Sequence, residues 1–323
     1  MNFIFRIAAA LAATALIAGQ PALAQQYPAK PVKLVVGYSA GGAVDTVART
    51  LGQSISTSMG QPVVIENKPG AGTNIAVKSV IDAPADGYTL LLAANALAAN
   101  MALYTPAPFD AEKDLVAVSL IGRVPVVIAA NANAPYNTIK QLIDAAKAKP
   151  NTVAFASPGN GSTPHLAAEL FAHAAGIDLM HVPYRGGAQA ITDVIGGQVP
   201  LLAMNALEVK PQVASGKLKV LAVLSSQRSA IFPEAPTIAE SGFKGFEASV
   251  WYALMAPAKT PPAIVDKLHA EVQKALQAPE VKERMTSVGG EVLPGSRESL
   301  VTLLRTERQR YEKLIRAANI KPD

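Results

Sequence analysis

Val32-Lys33-Leu34-Val35-Val36, then Gly37-Tyr38-Ser39-Ala40-Gly41-Gly42, then Val44, Val47, Ala48, Leu51 and Ile55: this stretch decides the fold. A short β-branched apolar run closed by glycine reads as a buried strand. Apolar residues at i, i+3, i+4, i+7 and i+11 read as one face of an amphipathic helix. Strand, glycine turn and helix in that order make a βα unit, and the unit recurs outward along the chain. Residues 62–65 predict a strand, Gly70-Ala71-Gly72 a turn, 75–81 a helix, Ala85-Asp86-Gly87 a second turn and 88–92 a strand. Residues 124–130 predict another buried strand, followed by Thr138-Ile139-Lys140-Gln141 at capping-box spacing before a helix.

The pattern then restarts. A strand at 152–156 runs into Ser157-Pro158-Gly159-Asn160-Gly161-Ser162-Thr163-Pro164-His165, which opens a helix reaching about residue 175. Strands at 179–182, 199–203 and 218–224 alternate with helices at 188–195 and 207–214. After the proline-bearing loop 232–236 come a strand at 250–255 and a largely helical tail, whose last helix has Ser296 as its N-cap and Leu300, Leu303, Leu304, Tyr311, Leu314 and Ile315 as its apolar face. The reading is an α/β protein of two similar lobes with mostly parallel sheets, each lobe carrying a glycine loop at a helix N-terminus. A cleft between the lobes is the natural site.

The N-terminus adds an address. Arg6 precedes the apolar run 7–18, and Ala22-Leu23-Ala24 places small residues where a signal peptidase needs them, so residues 1–24 read as a secretory signal peptide cleaved after Ala24. The apolar run is shorter than the roughly 20 residues a membrane span requires. Removing 24 of the 323 residues leaves 299, more than one core usually serves. Half of the residues are hydrophobic and 16% are charged, as in a well-buried globular chain. The net charge of +5 is spread without runs, which is compatible with anionic ligands but lacks the clustered Lys/Arg that nucleic acid calls for. With no cysteine, neither a disulfide framework nor a lipid-modified cysteine is available.

Gly37-Tyr38-Ser39-Ala40-Gly41 matches the nucleophile elbow G-x-S-x-G and sits between strand and helix as that motif requires, so a secreted serine hydrolase using Ser39 is the alternative function to weigh. Against it, Ser39 follows the first strand, no HGGG-type donor loop exists, and the only late histidine, His269, lies inside the amphipathic run 264–276. The same loop is suited to anion binding, because Gly41 and Gly42 let backbone amides approach a ligand at the positive end of the following helix. Ser162, Thr163 and the free amides around Gly161 offer a counterpart in the second half. His165, Glu169 and His173 recur at four-residue spacing, but neither HExxH nor cysteine supports a metal. His181 reads as a structural residue. Asp45, Asp193 and Glu208 are scattered over different units and form no acid/base pair, and Gly159-x-Gly161 lacks the third glycine of a dinucleotide fingerprint. No catalytic residue, metal or cofactor is expected.

Ordered segments over nearly the whole chain resemble the substrate-binding proteins of tripartite tricarboxylate transporters, the Bug family. They are Tyr27-Pro28 with Pro31 through Val36; Gly41-Gly42-Ala43-Val44-Asp45-Thr46-Val47-Ala48-Arg49; Val64-Ile65-Glu66-Asn67-Lys68-Pro69-Gly70-Ala71-Gly72 with Asn74-Ile75; and Ala85-Asp86-Gly87-Tyr88-Thr89-Leu90. In the second half they are Gly159-Asn160-Gly161-Ser162-Thr163-Pro164-His165 with Leu166 to Phe171, His181-Val182-Pro183-Tyr184-Arg185-Gly186-Gly187, and Leu221-Ala222-Val223. The resemblance implies a two-lobed, hinged, type II periplasmic binding fold, a monomer that captures a small organic acid and hands it to integral-membrane transporter subunits. A sensing role for a signalling partner would use the same fold.

The resemblance also implies that the loop before the first helix and the loop 157–165 grip a ligand carboxylate, with contacts from Tyr38, Ser39, Gly41, Gly42, Asn74, Ser162, Thr163 and His165. Asp45, Asn95, Ala96, Ser157, Gly161, Tyr184 and Asn205 complete the candidate lining, while Arg49 reads as the ion-pair partner of Asp45 one turn away. Departures from the family pattern fall at three places. Ser39-Ala40 stands where two prolines are common, Ala96-Leu97-Ala98 with Asn100-Met101 makes a more apolar wall, and Met204 replaces a frequent Asp next to the retained Asn205. The last change favours carboxylates with an apolar or aromatic body over amino acids. Residues 25–124 and 248–323 are expected to form lobe one, and 125–247 lobe two.

Overall fold

The computed structural model describes residues 27–184, 186–287 and 289–322. The signal-peptide reading of residues 1–24 lies outside the described residues, as does Arg185 of the second-half motif. Among the described residues no helix is long and apolar enough to cross a membrane.

The first half builds β1 (Val32–Val36), α1 (Ala43–Met59), β2 (Val63–Asn67), α2 (Asn74–Ile81), β3 (Thr89–Ala93) and α3 (Ala96–Leu103). β1 is the middle strand, with β2 and β3 parallel on either side of it. α1 forms where the periodicity places it, with Val44, Val47, Ala48, Leu51 and Ile55 all buried, and it stops at Gly60, whose φ of 66° supplies the left-handed cap.

β4 (Leu115–Asn131) is 17 residues long and joins the two halves. Residues 115–125 pair antiparallel with β9 (Ser249–Pro257), and from Val126 onward the partners become β7 (Leu201–Asn205) and β8 (Leu218–Val223). The sequence predicts only its second portion, 124–130. Both faces of the first portion are largely buried, and register shifts at 117/119 and 120/122 interrupt the alternation by which a strand is recognised.

The second half repeats the first. α5 (Ile139–Ala148), following the one-turn α4 (Ala111–Asp114), starts at Thr138, whose side chain accepts from Gln141 N as the capping spacing predicts. β5 (Ala154–Ser157) lies between β6 (Met180–Pro183) and β7, parallel to both, and α6 (Thr163–Ala175), α7 (Gly187–Ile195) and α8 (Ala206–Ala214) follow the three strands. The chain returns through β9 to α9 (Pro262–Gln277), α10 (Pro279–Ser287), the short β10 (Glu291–Val292) beside β4, and α11 (Arg297–Ala317), which Ser296 caps through its side chain. The whole is the two-lobed type II α/β fold that the sequence predicts.

One consequence of parallel pairing fixes the site. β1, β2 and β3 all end on one edge at Val36, Asn67 and Ala93, and β5, β6 and β7 end on one edge at Ser157, Pro183 and Asn205. Both glycine loops therefore leave the carboxyl ends of parallel strands, where open α/β sheets bind ligands.

Candidate ligand-binding site

Loop one, residues 37–42, is anchored from below by a carboxylate. Asp45 is 3% exposed, and its Oδ2 accepts from Gly41 N (2.9 Å) and Arg49 Nε (2.9 Å) while Oδ1 accepts from Asn67 Nδ2 (3.0 Å). Asn67 Nδ2 also donates to Tyr38 O (3.0 Å), so two points of the loop are tied to the end of β2. Burial pushes the Asp45 carboxyl up, but the hydrogen bonds from Arg49, Gly41 and Asn67 and the Arg49 charge outweigh it, and the carboxyl sits below its ordinary range. Gly41 takes a φ of 87°, which turns its amide back to Asp45 at little steric cost. Ser39, Ala40 and Gly41 are exposed, and Gly42 caps α1 with extended backbone and no side-chain bond. The Tyr38 hydroxyl is pushed up by burial.

Residues 70–74 lie beside loop one: a Cβ on Gly37 would come within 2.7 Å of Thr73 Cβ. Asn100 on α3 holds this segment, its Nδ2 donating to Gly72 O (2.7 Å) and Asn74 Oδ1 (2.7 Å). Asn100 is fully buried and its Oδ1 has no partner.

Loop two, residues 157–165, is held by stacked rings. His165 and His181 stack with centroids 3.8 Å apart, and Phe155 stacks on both. Burial, with a smaller contribution from His165, depresses the His181 imidazole to about 3, so it stays uncharged. Its Nε2 lies 2.7 Å from Ser157 Oγ. His165 Nδ1 accepts from Gly161 N (3.1 Å), which leaves the proton of a neutral ring on Nε2. Ser162 Oγ donates to Gly159 O (2.7 Å) and accepts from His165 N (3.4 Å), closing the α6 cap. Thr163 is 3% exposed and its Oγ1 has no partner.

The two halves meet at Asn100. A Cβ on Gly161 would stand 2.7 Å from Leu103 Cδ2 and 3.7 Å from Asn100 Oδ1, so loop two packs on the helix that braces the segment beside loop one. Further in, the β7–α8 junction carries Asn205, whose Nδ2 donates to Glu208 Oε1 (2.8 Å) and whose Oδ1 has no partner. The Tyr252 hydroxyl on β9 is buried without a partner as well.

Several candidate residues are supports rather than surfaces. Ser157 is fully buried and His165 is 2% exposed, both engaged within loop two. Asn95 is buried against β9 and α11, with Oδ1 accepting from Trp251 N (2.9 Å) and Nδ2 donating to Tyr311 Oη (2.8 Å) and Ser249 O (3.0 Å). Ala96 is buried at the start of α3. Tyr184 Oη donates to Asp193 Oδ2 (2.8 Å), and its backbone packs against Gly159. Asn67, Asn100, Glu208 and Tyr252 have no place in the sequence-based list. Asn67 stands in a quoted family segment, and the Asn205-x-x-Glu208 spacing was visible, but the roles of Asn100 and Tyr252 arise only from packing.

The model of the tripartite tricarboxylate transporter family receptor matches residues 47–320. This chain belongs to that receptor family. Among curated relatives, BugT of Bordetella pertussis is 38% identical over 311 residues, covering 96% of this chain and 95% of the relative. A protein encoded between tcbD and tcbE in Pseudomonas sp. strain P51 is 37% identical over 290 residues, covering 90% of this chain and 86% of the relative. Among solved structures, a Rhodopseudomonas palustris protein with adipate superposes with a TM-score of 0.85 at 32% identity, covering 92% of this chain and all of that one. MatC of Rhodopseudomonas palustris with bound malate gives 0.82 at 30% identity, covering 90% of this chain and all of that one. Receptors of this tripartite family are periplasmic binding proteins, so the chain is a receptor and not an enzyme, and the hydrolase alternative built on Ser39 falls with it.

Proposed function

We propose that this receptor captures a small carboxylate-bearing solute, a di- or tricarboxylate or another organic or aromatic acid, between loops one and two, and delivers it to the membrane subunits of a tripartite tricarboxylate-type transporter. The single observation that carries the reading is the packing of loop two, at the N-terminus of α6, on the helix whose Asn100 braces residues 70–74 beside loop one, with Asn100 Oδ1 and Thr163 Oγ1 buried without partners. Helix N-termini favour anions, and buried polar groups in a folded protein ordinarily find partners, so the region is chemically unfinished until a polar ligand enters. The adipate and malate held by two structural relatives belong to the same ligand class. In this reading Tyr38, Ser39, Gly41, Gly42 and Asn74 serve from lobe one and Gly161, Ser162 and Thr163 from lobe two, with Asp45 and His165 holding the loops in place.

The receptor acts as an exported periplasmic monomer after cleavage at Ala24. The change of β4 partners at 125/126 and the start of β9 at Ser249 support lobes built from residues 25–124 with 248–323, and from 125–247. Thermal-shift screening against mono-, di- and tricarboxylates, aromatic acids and amino acids tests the reading. A ligand at a hundredfold its Kd should stabilise the fold by about 2.7 kcal/mol. Stabilisation by neutral solutes with none by any carboxylate would sink it.

A further inference from the structure

The β7–α8 junction breaks a local rule. Asn205 is the N-cap of α8 and Glu208 lies three residues on, a spacing at which both side chains normally bond to the helix backbone. Asn205 makes no side-chain cap bond. Its amide turns to Glu208 instead, leaving Oδ1 without a partner in a residue 7% exposed. The neighbours are shaped around the Glu208 carboxylate. A Cβ on Gly187 would come within 2.4 Å of Glu208 Oε2 and within 3.1 Å of Met204 Sδ, so glycine at the start of α7 makes the room that the carboxylate occupies. Tyr252 on β9 is fully buried with a hydroxyl that has no partner, and burial, with the Glu208 charge adding to it, raises that hydroxyl. A departure from local capping that leaves polar atoms unsatisfied marks a functional position.

We propose that Glu208, with Asn205 and Tyr252, forms a second polar subsite that selects a carboxylate ligand carrying a hydrogen-bond donor, a hydroxyl or an ammonium, away from the carboxylate held by the two loops. The inference rests on the carboxylate reading above and deepens it. Asn205 gives one amide hydrogen to Glu208, and its oxygen can only accept. An ionised Glu208 accepts too, while the second Asn205 amide hydrogen and the Tyr252 hydroxyl can donate. A second carboxylate would therefore meet the like charge of Glu208, whereas an ammonium, or a hydroxyl that donates, satisfies that carboxylate and Asn205 Oδ1. Burial raises the Glu208 carboxyl, with the Asn205 hydrogen bond opposing, and an ammonium ligand would return it to the ionised state. Met204 thus does not leave the wall without an acid: Glu208 supplies it one helical turn later.

Calorimetric titration of the purified protein with hydroxy-, amino-, di- and unsubstituted monocarboxylates of matched chain length tests the assignment, repeated on Glu208→Gln and Glu208→Leu. The wild type should prefer a hydroxy or amino member over the dicarboxylate and the unsubstituted acid by roughly tenfold or more. Glu208→Gln, which keeps the shape and an acceptor, should lose the preference for an ammonium and keep part of that for a hydroxyl. Glu208→Leu should lose both while still binding the unsubstituted acid. A wild type that prefers the dicarboxylate, or an order unchanged in both variants, overturns the Glu208 assignment and leaves the carboxylate reading standing. Failure of every carboxylate to bind the wild type overturns the carboxylate reading and the subsite with it.

Discussion

Loop one hangs from a carboxylate and loop two from a pair of imidazoles. Asp45 gathers the Gly41 amide, the Arg49 guanidinium and the Asn67 amide, so loop one depends on a charge that three donors satisfy. Loop two depends on the stacking of Phe155, His165 and His181, with a single ring nitrogen holding Gly161 N. Two loops that leave equivalent strand ends and open equivalent helices are thus stabilised by different physics. Arg49 is about half exposed, so its pairing with Asp45 is weakened by solvent, and the larger part of the support comes from the buried side of the carboxylate.

The comparison is broken most severely at Asp45. Asp45→Ala leaves Gly41 N and Asn67 Nδ2 without their acceptor, and the loss should be about 2 to 3 kcal/mol in urea denaturation, with ligand affinity falling as loop one loosens. Asp45→Asn keeps one acceptor and should lose less. If Asp45→Ala behaves like an ordinary surface substitution, within about 0.5 kcal/mol, loop one is not held as described.

Acid sharpens the contrast. The His181 imidazole is depressed to about 3 in the fold, while the unfolded chain titrates near the ordinary histidine value of 6.5. Between these values the unfolded state binds the proton and the native state does not, so stability falls as pH falls through the window, by about 1.4 kcal/mol per pH unit. At pH 5 that amounts to about 2 kcal/mol relative to neutral pH. His181→Gln should flatten this slope. Asp45 behaves oppositely in position: its carboxyl is lowered, so its contribution is complete above the ordinary aspartate range and is lost only as pH falls below it. Acidification should therefore release loop two before loop one, which amide exchange at Gly161 and Gly41 would order. Earlier loosening at Gly41 would reverse the comparison.

Gly161→Ala comes next. Its φ of 69° is left-handed and the new Cβ would meet Leu103 Cδ2 at 2.7 Å, so strain of about 1 to 2 kcal/mol is expected. Because Leu103 lies on α3, which also braces residues 70–74 through Asn100, the substitution should also push loop two away from that helix and weaken ligand binding more than the stability change alone accounts for.

Much of this was legible in the sequence, for reasons that differ by element. β1 and α1 follow from a β-branched run and a clean helical period, and the caps at Thr138 and Ser296 from side chains that satisfy local amides. The first portion of β4 escaped because bulges and two-sided burial erase alternation. In the candidate site, glycines mark where the chain turns between strand and helix, and the positions of both loops are legible in the sequence. Which side chains brace and which face outward was not, because Asn95, Ser157 and His165 are the same polar types that a ligand would need, and only tertiary burial distinguishes them. Glu208 reads as an isolated acid in the sequence because Gly187, which makes room for its carboxylate, is remote in the chain.

The smallest stability effect belongs to Gly42→Ala, and it separates architecture from binding most cleanly. Gly42 has a φ of −80°, which any residue adopts, and an added Cβ would have only Ser39 O at 3.9 Å for company. Exchanging glycine for alanine at an N-cap costs less than about 1 kcal/mol, so denaturation should barely move. A ligand carboxylate seated on the amides at the start of α1, however, would meet that methyl group directly. A variant that unfolds like the wild type yet binds carboxylates at least tenfold more weakly would place the anion on the Gly42 amide. Unchanged affinity would move the anion to loop two, whose Gly161 cannot be tested in this way because its Cβ already strikes Leu103 on α3.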